Sequence, residues 1–159
     1  MRYDYFILWG NGIDHSSDII NIIRNDENYD ILHICEHIID NMDKFVTDIY
    51  ECDTVPMSHL ISKTRYLLKS PSKCVFILVI NKEPDEREYG DGAYRHIQCR
   101  KIKDTKTIIR NKFNPPFGDK NRRISPLDVG VSHDHCIHSS DYESQVYHVL
   151  EVLGLKGLI

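Results

Sequence analysis

The residues best equipped for chemistry are concentrated between Ser132 and Glu151, in SHDHCIHSSDYESQVYHVLE. His133, His135, Cys136 and His138 fall within the run HDHCIH. Ser139, Ser140 and Asp141 follow as a polar turn, and a helical pattern then begins. A short strand that ends in a histidine just before a helix puts an imidazole beside backbone N–H groups and the positive end of a helix dipole, a place suited to holding phosphate. Neutral imidazole is a nucleophile, and neutral is its common state near pH 7, so His138 has the chemistry to attack a terminal phosphate. Such a transfer asks mainly for alignment and charge neutralisation. Arg110 and Arg95 can supply that charge in a two-pronged geometry. Ser140 and Asp141 lie where they can cap the helix and orient a ring nitrogen of His138.

The same cluster also suggests metal. Alternation along a strand puts His133 and His135 on one face and His138 on the other. A pair spaced by two residues can share an ion, but a site needs a further ligand, for which His96 and Cys99 are candidates. No spacing specifies either one, so no residue is assigned to metal. The plainest alternative for His138 is a hydrogen-bonded histidine at a strand end. The basic residues Lys120, Arg122 and Arg123 can touch phosphates or simply solvate a loop. Gly10-Asn11-Gly12 allows a close backbone approach but is not a P-loop, since no Gly-Lys-Ser/Thr follows. Tyr89, Tyr94 and Phe117 can stack on a base or serve the core.

The whole chain sets the bounds. Its 159 residues suit one domain, 1–159, large enough to bury a core without staples. Apolar residues make up 41% and charged residues 28%, ordinary for a soluble globular protein. A net charge of −4 gives no global case for nucleic acid or a membrane surface. The five cysteines are scattered and form no C-x-x-C, which fits reduced thiols and a cytoplasmic location. The N-terminal apolar run, Phe6 to Trp9, is too short for a signal-peptide core, and no apolar run elsewhere approaches a membrane span.

The elements that must position the histidine follow from apolar spacing. Tyr5 to Trp9 reads as a buried strand, stopped by Gly10-Asn11-Gly12. Ser16 or Ser17 can cap a helix carrying Ile19, Ile20, Ile22 and Ile23. A strand runs from Tyr29 to Cys35 and on toward Ile39. Asn41 to Glu51 has helical spacing, and Pro56 opens a second helix with Leu60, Ile61, Thr64, Leu67 and Leu68 inside. Cys74 to Ile80, CVFILVI, is the central strand. Asn81 to Gly92 reads as a charged loop and Tyr94 to Lys101 is ambiguous. Asp104 can cap a helix from Thr105 to Lys112. Asn114 to Pro126 is a proline-rich loop. A last strand lies near Cys136 to His138, and a last helix runs from Tyr142 to Leu153 with Gly154 at its end. Four strands and packed helices in this order predict an α+β, ferredoxin-like sheet.

The run IIRNKF, then a loop, then IHSSDYES resembles the nucleoside diphosphate kinase family, whose members carry an I-R-G-D-F-like run followed by I-H-G-S-D-S-x-E-S. The element order, with a helical hairpin between the second and third strands, is also similar to that family's ferredoxin-like core. By this resemblance His138 matches the phosphorylated histidine, Ser140 and Asp141 the serine and aspartate just after it, and Arg110 an arginine that holds phosphate. Arg95 is matched to a second phosphate arginine. Tyr50 and Pro56 correspond to the hairpin where the base stacks. The resemblance implies a phosphotransferase acting on nucleotides, a magnesium ion accompanying the nucleotide, and a homo-oligomer. The family's first strand ends in lysine-proline-aspartate, whereas here Trp9-Gly10-Asn11-Gly12 follows, and Ser139 stands in place of a glycine. Those differences leave a non-catalytic nucleotide- or phosphate-binding module of the same fold as one alternative. A metal-dependent enzyme built on HDHCIH is the other.

Overall fold

The computed structural model describes residues 1–53, 55–115 and 133–159. Lys120, Arg122, Arg123 and Phe117, and most of the proline-rich loop, lie outside the described residues. Four strands form one antiparallel sheet: β1 (Arg2–Leu8), β2 (Tyr29–Ile38), β3 (Lys73–Asn81) and a short strand, Ile137–Ser139, at the opposite edge from β2. Lys73–Asn81 pairs with β1 along the whole of Arg2–Leu8, and with β2 on its other side. Its run from Cys74 to Val79 is buried, as CVFILVI predicts.

The helices sort by the alternation of the strands. Tyr5 and Ile7 of β1, with Phe76 and Leu78 of β3, face one layer built from α2 (Met42–Ile49), α3 (Met57–Leu68) and α5 (Glu143–Val152). Phe6 and Leu8, with Val75, Ile77 and Val79, face the other layer, α1 (Ser16–Asn25) and α4 (Arg100–Phe113). β1 and β3 are thus buried on both faces, which is why their apolar residues run on, whereas the edge strand β2 alternates exposed and partly buried positions. Among the described residues no helix is long and apolar enough to cross a membrane.

Several elements differ from the sequence expectation. Within the charged stretch after β3, Glu86–Tyr89 (β4) pairs with His96–Cys99 (β5) as a separate two-stranded ribbon; the edge strand Ile137–Ser139 is therefore β6. Glu86 of that ribbon is tied to Arg2 at 2.7 Å. Helix α4 starts at Arg100, not Thr105, directly from β5, and Asp104 lies inside it, 3.7 Å from Arg100. α1 is flanked by His15, with no side-chain cap from Ser16 or Ser17. On α3 the buried stripe is Leu60, Lys63 and Leu67, whereas Ile61 and Leu68 are exposed.

A buried polar network fixes where β1 meets the turn after β6. Asp4 takes two hydrogen bonds from Arg2, both at 2.9 Å, one from Asn81 at 2.9 Å and one from the Ser140 hydroxyl at 2.6 Å. The Ser140 Oγ in turn accepts from the Tyr5 N–H at 3.1 Å. Ser140→Ala is expected to cost about 1–3 kcal/mol, because it leaves a buried carboxylate oxygen and a buried amide each short of a partner. A denaturant midpoint equal to that of the wild type would show the network does not depend on the hydroxyl.

Candidate active site

β6 is only three residues long, and it brings His138 opposite Ile7 of β1. Its side chain therefore turns to the α2–α3–α5 layer, where three rings surround it. Trp9 stacks on it at 5.4 Å between centroids, and Tyr50 and Tyr5 lie at 4.7 Å and 5.6 Å. The imidazole is 5% exposed. Tyr5 Oη sits 2.9 Å from Nε2; no hydrogen bond engages Nδ1 among the described residues. Burial, and then the charges of Lys106, Lys63 and Arg110, hold the His138 pKa well below its usual value. His138 is consequently neutral across the physiological range. Burial also keeps the Tyr5 and Tyr50 phenols protonated.

The glycines after β1 bring the histidine-rich segment against this cage. Gly10 has φ +58°, and an added Cβ there would lie 2.1 Å from the Tyr66 hydroxyl; at Gly12 it would lie 2.2 Å from the Cys136 carbonyl oxygen. Tyr66 Oη accepts from the Asn11 N–H at 2.8 Å and donates to its side-chain oxygen at 2.7 Å. Trp9 N–H bonds Cys136 O at 3.2 Å, continuing the β1–β6 register.

A cleft of about 190 Å³ opens along the edge of β6 away from β1, which no other strand pairs among the described residues. Three cations line it. Lys63 comes from α3, and Lys106 and Arg110 come from α4, one turn apart on one helix face. Lys63 is buried. Its Nζ lies 3.2 Å from His135 Nδ1 and 3.3 Å from His133 O, over the faces of Trp9 and Tyr50 at 5.7 Å and 5.8 Å. Arg110 donates twice to the Ile137 carbonyl, at 3.3 Å and 3.0 Å, and so holds β6 to α4. Two carboxylates share the cleft. Burial, then Asp141, raises the Asp53 pKa to about 7, and burial raises that of Asp141. Burial, then Arg110, lowers the Lys106 pKa to about 8.

These two values give the cleft a pH dependence with a definite sign. Below about 7 Asp53 is neutral and Lys106 charged; above about 8 Asp53 is charged and Lys106 neutral. His138 is uncharged on both sides of that window. Affinity for a polyphosphate anion should therefore fall as pH rises from 7 to 9. Calorimetry of tripolyphosphate binding across that range checks this, and an affinity that is flat or rises with pH contradicts it.

Of the residues expected from sequence, His138, Asp141, Arg110 and Tyr50 line this one cleft. Tyr50 packs between Trp9 and His138 and forms a wall of the imidazole cage. Ser140 does not line it, being committed to Asp4 and Tyr5. Arg95 does not either: it is exposed on the ribbon and paired with Glu88 at 2.6 Å. The expected cap of α5 is absent. Tyr142 stands at its start without a side-chain cap, and the Asp141 N–H is taken by the Gln145 side chain at 2.6 Å. Around the metal candidates, Cys99 is buried against Asn81 and Asp85, and Cys136 lies with its thiol toward Ile109 O. Among the described residues no three His, Cys, Asp or Glu gather to hold an ion.

Sequence reasoning missed Tyr5, Asp53, Lys63 and Lys106. Lys63 did carry a signal, since a lysine on the apolar stripe Leu60–Lys63–Leu67 must have a buried purpose. Lys106 sits four residues before Arg110, which places both on one face once the helix is known to begin at Arg100.

The strand order β2-β3-β1-β6, with helices on both faces, defines a ferredoxin-like α+β fold. Within that class the fold is nucleoside diphosphate kinase-like. The chain is similar to a nucleoside diphosphate kinase from Borrelia burgdorferi, solved as a transition-state mimic with bound vanadate and ADP, with 13% identity, 95% of this chain and 85% of that one covered, and a TM-score of 0.51. It is similar also to the nucleoside diphosphate kinase of Encephalitozoon cuniculi, with 14% identity, coverage of 96% and 88%, and a TM-score of 0.50. A scan against protein-family models finds no match, and neither does a search of curated proteins.

Proposed function

We propose that this chain is a phosphotransferase that accepts the terminal phosphoryl group of a nucleoside triphosphate on His138. The observation that carries this is the state of the imidazole: neutral, caged by three rings, engaged at Nε2 by Tyr5, and beside a cleft lined by Lys63, Lys106 and Arg110. With Nε2–H donating to Tyr5 Oη, the lone pair lies on Nδ1. That lone pair attacks the γ-phosphorus, the bond from that phosphorus to the bridging oxygen breaks, and a nucleoside diphosphate leaves. The three cations neutralise the charge spread over the transferring group. A nucleoside diphosphate bound in the same cleft then takes the phosphoryl group back. The reading is supported by likeness of fold to a nucleoside diphosphate kinase solved as a transition-state mimic with vanadate and ADP.

The cations come from helices rather than from the end of the first strand. Lys63 approaches across Trp9, so the place after β1 that holds a lysine in the resembled family is filled here by an aromatic ring with an ammonium over it. A magnesium ion would accompany the nucleotide, carried on its phosphates. The test is incubation with a γ-labelled nucleoside triphosphate. Label on histidine supports transfer, and binding of nucleotide without label assigns the chain to the non-catalytic binding modules.

A further inference from the structure

Ser139 has no part in the steps above. It follows His138 on β6, lines the same cleft and is 1% exposed. Its Oγ is buried and has no hydrogen-bond partner among the described residues. Leaving a buried hydroxyl unpaired is destabilising, and buried polar groups are nearly always satisfied. The neighbouring Ser140 shows the contrast, because its hydroxyl both donates and accepts within the fold.

The main chain of Ser139 points the same way. Cys136 O bonds Trp9 N, and Ser140 N bonds Tyr5 O, both at 3.2 Å. In an antiparallel ladder such pairs recur every second residue, so His138 also faces β1, while Ile137 and Ser139 direct their amides and carbonyls off the open edge. Arg110 takes the carbonyl of Ile137. Ser139 is thereby left with an N–H at the edge lined by Lys106 and Arg110, while its hydroxyl, on the residue opposite Phe6, turns to the α4 side of the strand that carries those two cations. Two donors beside two cations suit an anion that only accepts hydrogen bonds.

We propose that Ser139 is a phosphate-binding residue, its hydroxyl and N–H donating to oxygens of the polyphosphate where Lys106 and Arg110 hold it at the edge of β6. This rests on the phosphate-handling assignment of the cleft and adds a neutral donor to its charged ones. It also gives a chemical use to a serine where the resembled family carries a glycine.

The experiment uses the full chain, with Ser139→Ala and Ser139→Thr, and sodium tripolyphosphate as the probe. Calorimetry should show affinity about tenfold weaker for the alanine variant, the worth of a hydrogen bond to a charged group, and largely kept with threonine. The unfolding temperature without ligand should be unchanged or higher for alanine, because an unpaired hydroxyl has been removed. Equal affinity of the wild type and the alanine variant overturns the proposal. So does a lowered unfolding temperature with lost affinity that threonine fails to restore, which would assign Ser139 to the fold. Serine-dependent tripolyphosphate binding without any label from a nucleoside triphosphate keeps Ser139 as a phosphate donor and ends the transfer mechanism. Label on His138 with an indifferent alanine variant does the reverse. A wild type that binds no tripolyphosphate overturns both.

Discussion

Replacing His138 with glutamine is expected to abolish the labelling that the proposed transfer predicts with a γ-labelled nucleoside triphosphate. Glutamine is close in size to the imidazole and keeps a polar group for the Tyr5 hydroxyl, so the cage of Tyr5, Trp9 and Tyr50 stays filled. What it lacks is a nucleophilic nitrogen lone pair, since an amide nitrogen is only a donor. The expected loss is complete, because no partial step remains once the attacking atom is gone. In the wild type the label should survive alkali and be lost in acid, as a phosphorus–nitrogen bond requires. Label persisting in His138→Gln moves the nucleophile elsewhere. Bound zinc in the purified wild type, with no nucleotide binding, would favour the metal-dependent alternative instead.

Arg110→Ala should weaken nucleotide binding by about 1.5–3 kcal/mol, roughly ten- to a hundredfold, the contribution of a charge-assisted hydrogen bond. Its guanidinium already spends two N–H groups on Ile137 O, at 3.3 Å and 3.0 Å, which orients the head toward the edge of β6. Arg110→Lys should recover only part of the affinity, because an ammonium cannot hold that carbonyl and a phosphate in one plane. Calorimetry with a nucleoside triphosphate decides. An affinity for Arg110→Ala equal to that of the wild type, with the fold intact, removes Arg110 from the site.

The central strand was legible because it is buried on both faces and therefore reads as an unbroken apolar run, CVFILVI. The β4–β5 ribbon was not. EREY and HIQC carry no such run, since the ribbon stands apart from the main sheet and depends on pairs such as Arg2–Glu86. The start of α4 was illegible for a related reason: β5 passes straight into it through Cys99, with no capping side chain to mark the change. In the site, His138, Arg110 and Asp141 were legible because they lie in two short motifs. Lys63 and Tyr5 were not, because each reaches His138 or its neighbours from a segment more than seventy residues away in sequence. Arg95 was matched by its position along the chain, and the ribbon carries it outward from this cleft to Glu88.

The pairing of β1 with β6 has a consequence for how the protein comes to be active. Tyr5 and Ser140 meet across 135 positions of chain, and the pairing runs only over Phe6–Leu8 on one side and Ile137–Ser139 on the other. β1 and β3 by contrast pair along the whole of Arg2–Leu8. Closing the longest loop for the shortest ladder is the slowest and least rewarded step in assembling the sheet, so the edge strand docks last in folding and opens first under native fluctuation. His138, the proposed nucleophile, rides on that strand. A chain with β1, β2 and β3 already paired therefore has a formed core but no assembled cleft, and the candidate site is complete only when β6 finds β1.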